Sequence, residues 1–308
     1  MLYDLAIIGG GPAGVGAGVY AARKKIKTLF LTTNFENQST VSENIQNWIG
    51  TPSVKGADLA KQLENHLRAY AADVVDIHVK ETVSLITKNA DGTFHITTNK
   101  GEYDTKAILV TTGSVRKKIT VPGADLYENK GITYCATCDG PLFAGADVAV
   151  IGGGNAGFES ALQLVAYAKS VTLLARNDFK ADKTTVEQFL AHPNAKAIAN
   201  TDLIEIRGDK FVSAVVYTDR TTGEQKELLV TGVFVEVGAT PSVWFVKDLV
   251  KLNDIGQIVA DPYTQKTSTE GIWAAGDCTD GLYKQNNIAV GDAIKALENI
   301  YHWLKLYV

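Results

Sequence analysis

The 308-residue sequence lacks several features that would place it in other classes of protein. Its 30 lysine and arginine residues do not outweigh its 34 aspartate and glutamate residues, and the net charge of −4 argues against a nucleic-acid or anionic-membrane binder. Apolar runs such as residues 107–110 are far shorter than the roughly 20 residues of a membrane-spanning helix. A strand begins near Tyr3, which leaves no room for a signal peptide. We therefore expect a cytoplasmic protein without a membrane or nucleic-acid partner.

Metal-ligating residues are also scarce. The chain has three cysteines, and its five histidines are scattered without the spacing of metal ligands. A structural zinc site needs four ligands and usually a second cysteine pair, so no metal is expected. So few cysteines fit a reducing cytosol, where stable structural disulfides are unusual.

Two of the three cysteines form the most informative motif of the chain. Cys135 and Cys138 are separated by two residues, and Asp139 follows directly. Two thiols at this spacing can close a disulfide across one helical turn, and an adjacent carboxyl group can move protons as the disulfide opens. Because Cys278 is the only further cysteine, a redox dithiol is favoured over half of a zinc site.

A glycine-rich motif occurs twice. Residues 5–31 contain an apolar strand, a glycine turn, a helix of small residues and a second strand, and residues 148–174 repeat this order. The glycines permit a tight turn, let the backbone approach a pyrophosphate, and allow the helix to pack on the strand. Two such units in the same context predict two dinucleotide sites. The glycines are Gly9, Gly11 and Gly14 in the first unit and Gly152, Gly154 and Gly157 in the second.

The chain length and the two glycine units predict two domains. The chain from about residue 244 onward carries no nucleotide motif of its own and is expected to complete the first domain. We therefore predict an α/β protein with two Rossmann-like (three-layer ββα) dinucleotide-binding domains, the second inserted into the first. The first domain would comprise residues 1–115 and 244–308, and residues 116–243 would form a second, nucleotide-binding-like domain that carries the redox cysteines.

The order of these motifs resembles that of the low-molecular-weight thioredoxin reductases, and also that of the C-terminal reductase portion of alkyl hydroperoxide reductase flavoproteins. The resemblance covers essentially the whole chain, and the position of the cysteine pair just before the second glycine unit is specific to this family. It implies an oxidoreductase and flavoprotein with FAD and a nicotinamide nucleotide. It also implies a thioredoxin-like protein substrate and a homodimer.

The resemblance further assigns roles to residues. Cys138 would lie nearer the flavin, Cys135 would attack the disulfide of the partner protein, and Asp139 would handle the proton. Cys278 would pack near FAD without a redox role. The residues implied for FAD are Gly9, Gly11, Pro12, Ala13, Gly14, Gln38, Asn47, Thr112, Gly113, Gly276, Asp277, Gln285 and Asn286.

The nicotinamide positions depart from the family pattern. NADPH-using relatives carry a His-Arg-Arg stretch and a further arginine where this chain reads Ala-Arg-Asn-Asp-Phe-Lys at residues 175–180. An NADH site needs an acidic residue about 20 positions after the glycines, and Ala175 cannot fill that role. The sequence therefore predicts an altered donor, with NADPH disfavoured. The residues implied for NADH or NADPH are Gly152, Gly154, Asn155, Ala156, Gly157, Glu159, Arg176 and Lys180.

Two alternatives stay open for the electron source and for turnover. Some thioredoxin reductase-like flavoproteins with an eroded nucleotide site take electrons from ferredoxin, and an aromatic ring from residues 301–308 stacked on the flavin would favour such a donor. A terminal helix that buries its apolar face explains the same residues. A flavin-bound redox sensor without turnover is a further alternative.

Overall fold

The computed structural model describes residues 1–40, 42 and 45–306, and its contacts divide the chain into two compact units. The first comprises residues 1–43, 48–115 and 240–308, and the second comprises residues 44–47 and 116–239. Numbered along the chain, the strands and helices are β1 (Leu2–Ile8), α1 (Pro12–Arg23), β2 (Thr28–Thr32), α2 (Gly56–Ala71), β3 (Val75–Val79), β4 (Val83–Lys88), β5 (Phe94–Thr98), β6 (Glu102–Val110), β7 (Ser114–Arg116), β8 (Ile132–Thr133), α3 (Ala136–Asp139), β9 (Asp147–Ile151), α4 (Asn155–Leu164), β10 (Ser170–Leu174), α5 (Lys183–Leu190), β11 (Ala195–Ile198), β12 (Thr201–Gly208), β13 (Val212–Asp219), β14 (Gln225–Leu229), β15 (Gly232–Val235), β16 (Ala239–Pro241), β17 (Ile272–Ala274) and α6 (Asn286–Leu306).

The first unit is built on a seven-stranded sheet of order β3-β2-β1-β6-β5-β4, with β17 beside β6. The central strands are parallel, and β4 and β5 form an antiparallel extension. Helices α1, α2 and α6 pack on one face, and residues 243–258 cover much of the other. Because both faces are covered, the central parts of these strands, residues 5–8 of β1, 29–31 of β2 and 107–110 of β6, are continuous apolar runs. The carboxyl end of β1 leads into the first predicted glycine turn.

The second unit has three layers. Its parallel sheet has the order β11-β10-β9-β15-β8. Helices α4 and α5 pack on one face of this sheet, and the antiparallel sheet β12-β13-β14 packs on the other. This arrangement brings the second glycine turn to the carboxyl ends of β9 and β10, where ligands of open α/β sheets bind.

The segments that connect the two units contain short strands. The sequence predicts a linker over residues 114–121 and a return crossing at residues 238–241. In the structure, β7 and β16 pair with each other as a two-stranded sheet. The chain returns to the first unit at Thr240, a few residues before the predicted boundary at 244.

The aromatic C-terminal segment belongs to helix α6. Trp303 packs against Trp273 with ring centroids 5.5 Å apart, and its Nε1 donates a hydrogen bond to Glu270 Oε1 at 3.2 Å. Lys24 Nζ lies 4.3 Å from the centre of the Tyr301 ring. These two rings are therefore used in packing the helix on the first unit, while Tyr307 and Val308 lie outside the described residues. None of the helices in residues 1–40, 42 and 45–306, this long one included, has the length and apolarity needed to cross a membrane.

The core of the second unit provides a stability prediction. Phe158 of α4 is fully buried, and its ring meets those of Phe179 and Phe189 edge-on at 5.0 and 5.8 Å. We expect Phe158→Ala to lower the free energy of unfolding by about 3–5 kcal/mol, because the cavity cannot be filled by collapse. Phe211→Ala is the matched control, since its ring is 65% exposed and its loss should cost less than about 0.5 kcal/mol. Denaturant unfolding followed by circular dichroism measures both, and equal losses would contradict the assignment of Phe158 to the core.

Candidate functional site

Of the three predicted glycines of the first turn, the packing requires two and does not require the third. Gly9 has a φ of 120°, and a Cβ there would lie 2.4 Å from the carbonyl oxygen of Thr111. A Cβ on Gly14 would lie 1.8 Å from the carbonyl oxygen of Gly9. A Cβ on Gly11, in contrast, would meet nothing closer than Asn37 Cβ at 4.0 Å. Gly11 therefore borders open space in front of the α1 N-terminus.

The second glycine turn repeats this division. Gly152 has a φ of 144°, and its Cβ would lie 2.2 Å from the carbonyl oxygen of Glu236. A Cβ on Gly157 would lie 2.1 Å from the carbonyl oxygen of Gly152, whereas nothing lies within 4 Å of a Cβ on Gly154. Both helices begin at a glycine N-cap without a side-chain cap, so their first amide groups face a cradle suited to a phosphate.

Residues predicted to bind FAD surround the first cradle. Gln38 Nε2 donates to the carbonyl oxygen of Ser114 at 2.6 Å, and Asn286 Nδ2 at the start of α6 donates to Ser39 Oγ at 2.9 Å. Asn37, whose Cβ is the atom nearest to a Cβ on Gly11, places the segment after β2 beside the glycine turn, and the two hydrogen bonds join Ser114 and the start of α6 to that segment. The open cradle and the uncapped helix fit the pyrophosphate of FAD.

The segment after β6 also belongs to this part of the first unit. Thr112 Oγ1 donates to the carbonyl oxygen of Ser242 at 2.7 Å. Gly113 has a φ of 63° and no atom within 4 Å of a built Cβ. The sequence predicts that Asn47, like Gln38, binds FAD. The contacts group Asn47 with the second unit, so its role in FAD binding stays a prediction.

The segment after β17 carries the remaining predicted FAD residues of this region. A Cβ on Gly276 would lie 3.4 Å from Ala13 Cβ, which places the segment beside the start of α1. Burial lowers the pKa of Lys284, and the neighbouring charge of Asp277 partly opposes this shift. Burial also raises the pKa of Cys278 to about 11. Cys278 is therefore a neutral thiol at pH 7, in agreement with a packing role.

The redox cysteines lie at the start of a short helix in the second unit. Cys135 and Cys138 are joined by a disulfide, with their Cα atoms 5.3 Å apart. Cys135 is the N-cap of α3, and its Sγ accepts a hydrogen bond from the Cys138 amide at 3.1 Å. Strand β8 positions this helix through its pairing with β15. Both cysteines are half-buried.

Asp139 is oriented by a residue that the sequence pattern does not single out. Thr133 Oγ1 donates a short hydrogen bond to Asp139 Oδ2. The Asp139 amide donates to the carbonyl oxygen of Cys135 at 3.0 Å, which fixes the backbone of Asp139 directly after the disulfide. Thr137 Oγ1 donates to Gln163 Oε1 of α4 at 3.0 Å and anchors the same helix. A hydroxyl residue in the strand before a Cys-x-x-Cys-Asp motif is the only sequence signal for Thr133.

A cavity of about 500 Å³ opens at the second glycine turn. It is lined by residues 118–121, 152–154, 174–178 and 201–203, with Lys180 among the rest. The Lys180 amide donates to the carbonyl oxygen of Gly153 at 2.8 Å, and Asn155 Oδ1 accepts from the Asp182 amide at 2.8 Å. The predicted nicotinamide residues of the glycine turn and those after β10 therefore line or support one cavity. Its size suits the adenosine part of a dinucleotide.

The charges of this cavity include one that sequence reasoning misses. Ala175 is buried directly after β10. Arg176 is exposed beside it, and its Nε lies 3.6 Å from Asp202 Oδ1. Asp202 belongs to β12, in the other sheet of the unit. No local motif predicts the proximity of Asp202 to Arg176. It arises because β12 begins three residues after the end of β11 and starts close to the end of β10.

Two acidic side chains lie near the start of α4. Glu159, the predicted nicotinamide residue, is exposed and is the fifth residue of the helix. Glu236 follows β15 and belongs to none of the motifs, although it is a lone acid within the apolar run at residues 233–237. Burial raises the pKa of Glu236, while the hydrogen bond that Ser160 Oγ donates to it at 2.7 Å and the Arg116 guanidinium at 4.0 Å oppose this shift.

Known proteins resemble the chain along nearly its whole length. Residues 3–293 match the family described as pyridine nucleotide-disulphide oxidoreductase. The chain is 36% identical over 304 residues to a protein named NADH dehydrogenase from Bacillus subtilis (strain 168). It is 39% identical over 297 residues to one of the subunits of alkyl hydroperoxide reductase in Xanthomonas campestris pv. phaseoli. These alignments cover 98% and 96% of this chain but only 58% and 56% of the relatives, so the chain spans little more than half of their length.

A solved structure resembles the whole chain. The crystal structure of thioredoxin reductase from Streptococcus pyogenes MGAS5005 is 32% identical, covers 99% of both chains and has a TM-score of 0.89. The resemblance drawn from the motifs is confirmed by these matches, as is the prediction of an α/β fold with two Rossmann-like domains.

Proposed function

Because the chain belongs to the pyridine nucleotide-disulphide oxidoreductase family, in its thioredoxin reductase-like class, we propose that it is an FAD-dependent disulfide reductase that acts on a thioredoxin-like protein. The observation that carries this proposal is the half-buried Cys135–Cys138 disulfide with Asp139 fixed beside it. Bound FAD would supply the two-electron chemistry that links the donor to this disulfide. A nicotinamide nucleotide is the proposed donor, and a homodimer is the expected assembly.

The reduced cysteines carry out an exchange of thiols. The Cys135 thiolate attacks one sulfur of the partner disulfide, whose S–S bond breaks as a mixed disulfide forms. The Cys138 thiolate then attacks Cys135 Sγ, which re-forms the Cys135–Cys138 disulfide and releases the partner with both of its thiols. Asp139 takes the proton of the Cys138 thiol before this second attack and passes it to one departing thiolate of the partner, while the other thiolate takes a proton from solvent. Thr133 holds the carboxyl group in place. Two electrons have then moved from the cysteine pair to the partner protein.

The two cradles are the proposed sites of the two nucleotides. The Gly11 cradle, with Gln38, Asn286 and the segment after β17, would hold FAD, because its uncapped amides suit a pyrophosphate. The Gly154 cradle and the cavity beside it would hold the nicotinamide donor. Similarity to proteins named NADH dehydrogenase and thioredoxin reductase supports NADH as the donor and a thioredoxin-like protein as the acceptor.

Anaerobic mixing tests the donor. We expect NADH to bleach the bound flavin within seconds and to drive reduction of a thioredoxin-like disulfide in a coupled insulin assay. The same protein is mixed with NADPH and with reduced ferredoxin for comparison. Bleaching only by ferredoxin would replace the nicotinamide donor with a ferredoxin-type donor. Bleaching without disulfide turnover by any donor would instead favour a flavin redox sensor.

A further inference from the structure

We propose that Asp202 selects NADH against NADPH by placing its carboxylate beside the site of the adenosine ribose of the donor. This inference rests on the proposed function only in that a nicotinamide dinucleotide occupies the cavity at the second glycine turn. In Rossmann units a carboxylate at the end of the second strand takes the ribose hydroxyls of NAD, whereas an arginine takes the 2′-phosphate of NADP. Ala175 leaves that strand without a carboxylate, and Asp202 brings one from β12.

Hydrogen bonds of the main chain fix the position of Asp202. The Ala175 amide donates to the carbonyl oxygen of Ile198 at 2.9 Å, and the Thr201 amide donates to the carbonyl oxygen of Ala175 at 2.9 Å. Thr201 Oγ1 also donates to the same Ala175 oxygen at 3.1 Å. Asp202 follows directly and lines the cavity with Ala175. Its carboxylate therefore lies beside the strand end that lacks one.

The same carboxylate engages the arginine that a 2′-phosphate would need. Arg176 Nε lies 3.6 Å from Asp202 Oδ1, and Arg220 Nε lies 3.8 Å from Asp202 Oδ2. Arg220 is itself held, because one of its terminal nitrogens donates to the carbonyl oxygen of Arg176 at 2.8 Å and to Asn177 Oδ1 at 3.3 Å. Asp202 thus lies between two guanidinium groups at one side of the cavity.

This arrangement disfavours a second anion. A 2′-phosphate would approach the Asp202 carboxylate and that of Asp178, which accepts a hydrogen bond from Asn200 Nδ2 at 3.0 Å. It would also have to draw Arg176 away from Asp202. A ribose hydroxyl meets neither obstacle, because it can donate a hydrogen bond to the Asp202 carboxylate while Arg176 keeps its partner.

Calorimetric titration of the purified flavoprotein with NAD⁺ and NADP⁺ tests the proposal without turnover. We expect the native protein to bind NAD⁺ at least roughly tenfold more tightly than NADP⁺. Asp202→Asn should tighten NADP⁺ binding by about tenfold, a change of about 1.4 kcal/mol, because it frees Arg176 and removes a negative charge. The same variant should weaken NAD⁺ binding severalfold, because an amide accepts the ribose hydrogen bond less strongly.

Glu205→Gln is the matched control. Glu205 lies on the same strand, pairs with Arg207 at 2.8 Å, and is not among the residues that line the cavity. The Glu205→Gln substitution removes one negative charge, as Asp202→Asn does, and should change the affinity for neither NAD⁺ nor NADP⁺. The proposal is overturned if Asp202→Asn and Glu205→Gln show the same ratio of NAD⁺ affinity to NADP⁺ affinity. It is also overturned if the native protein prefers NADP⁺ or binds neither nucleotide.

The disulfide reduction assay distinguishes this proposal from the proposed function. If the protein prefers NAD⁺ because of Asp202 but reduces no partner disulfide, the proposed role of Asp202 stands and the proposed reductase function is refuted. If the protein reduces a partner disulfide but Asp202→Asn has no effect on nucleotide binding, the reductase function stands and the proposed role of Asp202 is refuted.

Discussion

A Cys138→Ser variant is expected to form a stable mixed disulfide through Cys135 with a thioredoxin-like protein, and to lose disulfide reduction by a factor on the order of 10³ or more. Cys135 caps the short helix α3 and is half-buried, so its thiol remains able to attack a partner disulfide. Without the second thiol, nothing resolves the complex. Non-reducing electrophoresis and mass spectrometry of the trapped species identify the linked cysteine.

Cys135→Ser is the control for this experiment. It also removes one thiol of the pair and keeps the buried Cys278, but it should trap no partner because the attacking thiol is gone. Equal trapping by the two variants would refute the assigned roles. Trapping by Cys135→Ser alone would reverse them and make Cys138 the attacking thiol.

The parts of the fold that are determined by residues close together in the sequence can be predicted from the sequence. The apolar strands and the glycine turns at Gly9 and Gly152 are encoded within single stretches of chain, and their helices begin at Pro12 and Asn155, the corresponding positions of the repeat. The dipeptide Asp91-Gly92, which is typical of hairpin turns, likewise lies between the antiparallel strands β4 and β5. In each case the turn chemistry and the apolar pattern act on the same few residues.

The details that the sequence does not predict arise from contacts between distant segments. Asp202 approaches Arg176 because β12 starts where β11 ends, in a sheet that packs on the other face of the unit. Thr133 meets Asp139 because α3 folds back beside β8. The sequence allows two explanations of the aromatic tail, and contacts seen in the structure, such as that of Trp303 with Trp273, favour the packed helix. Periodicity and spacing carry no information on such contacts.

The largest effects on cofactor binding are expected from leucine at the two glycines that the packing does not require. Gly11 and Gly154 have φ values of −74° and −94°, which any residue adopts, and a Cβ at either position meets no close atom. A leucine side chain should therefore leave both units folded and fill the cradle in front of its helix. We expect Gly11→Leu to purify without flavin, with a loss of affinity of about 3 kcal/mol or more, a hundredfold change or greater.

Gly154→Leu should behave differently, and each variant controls for the other. We expect it to retain flavin, since Gly11 is unchanged, and to bind NAD⁺ at least roughly tenfold more weakly. Visible absorbance reports the flavin, calorimetry reports NAD⁺, and circular dichroism verifies that both variants are folded. Loss of flavin from Gly154→Leu, or its retention at native affinity by Gly11→Leu, would contradict the assignment of FAD to the first cradle and of the nicotinamide donor to the second.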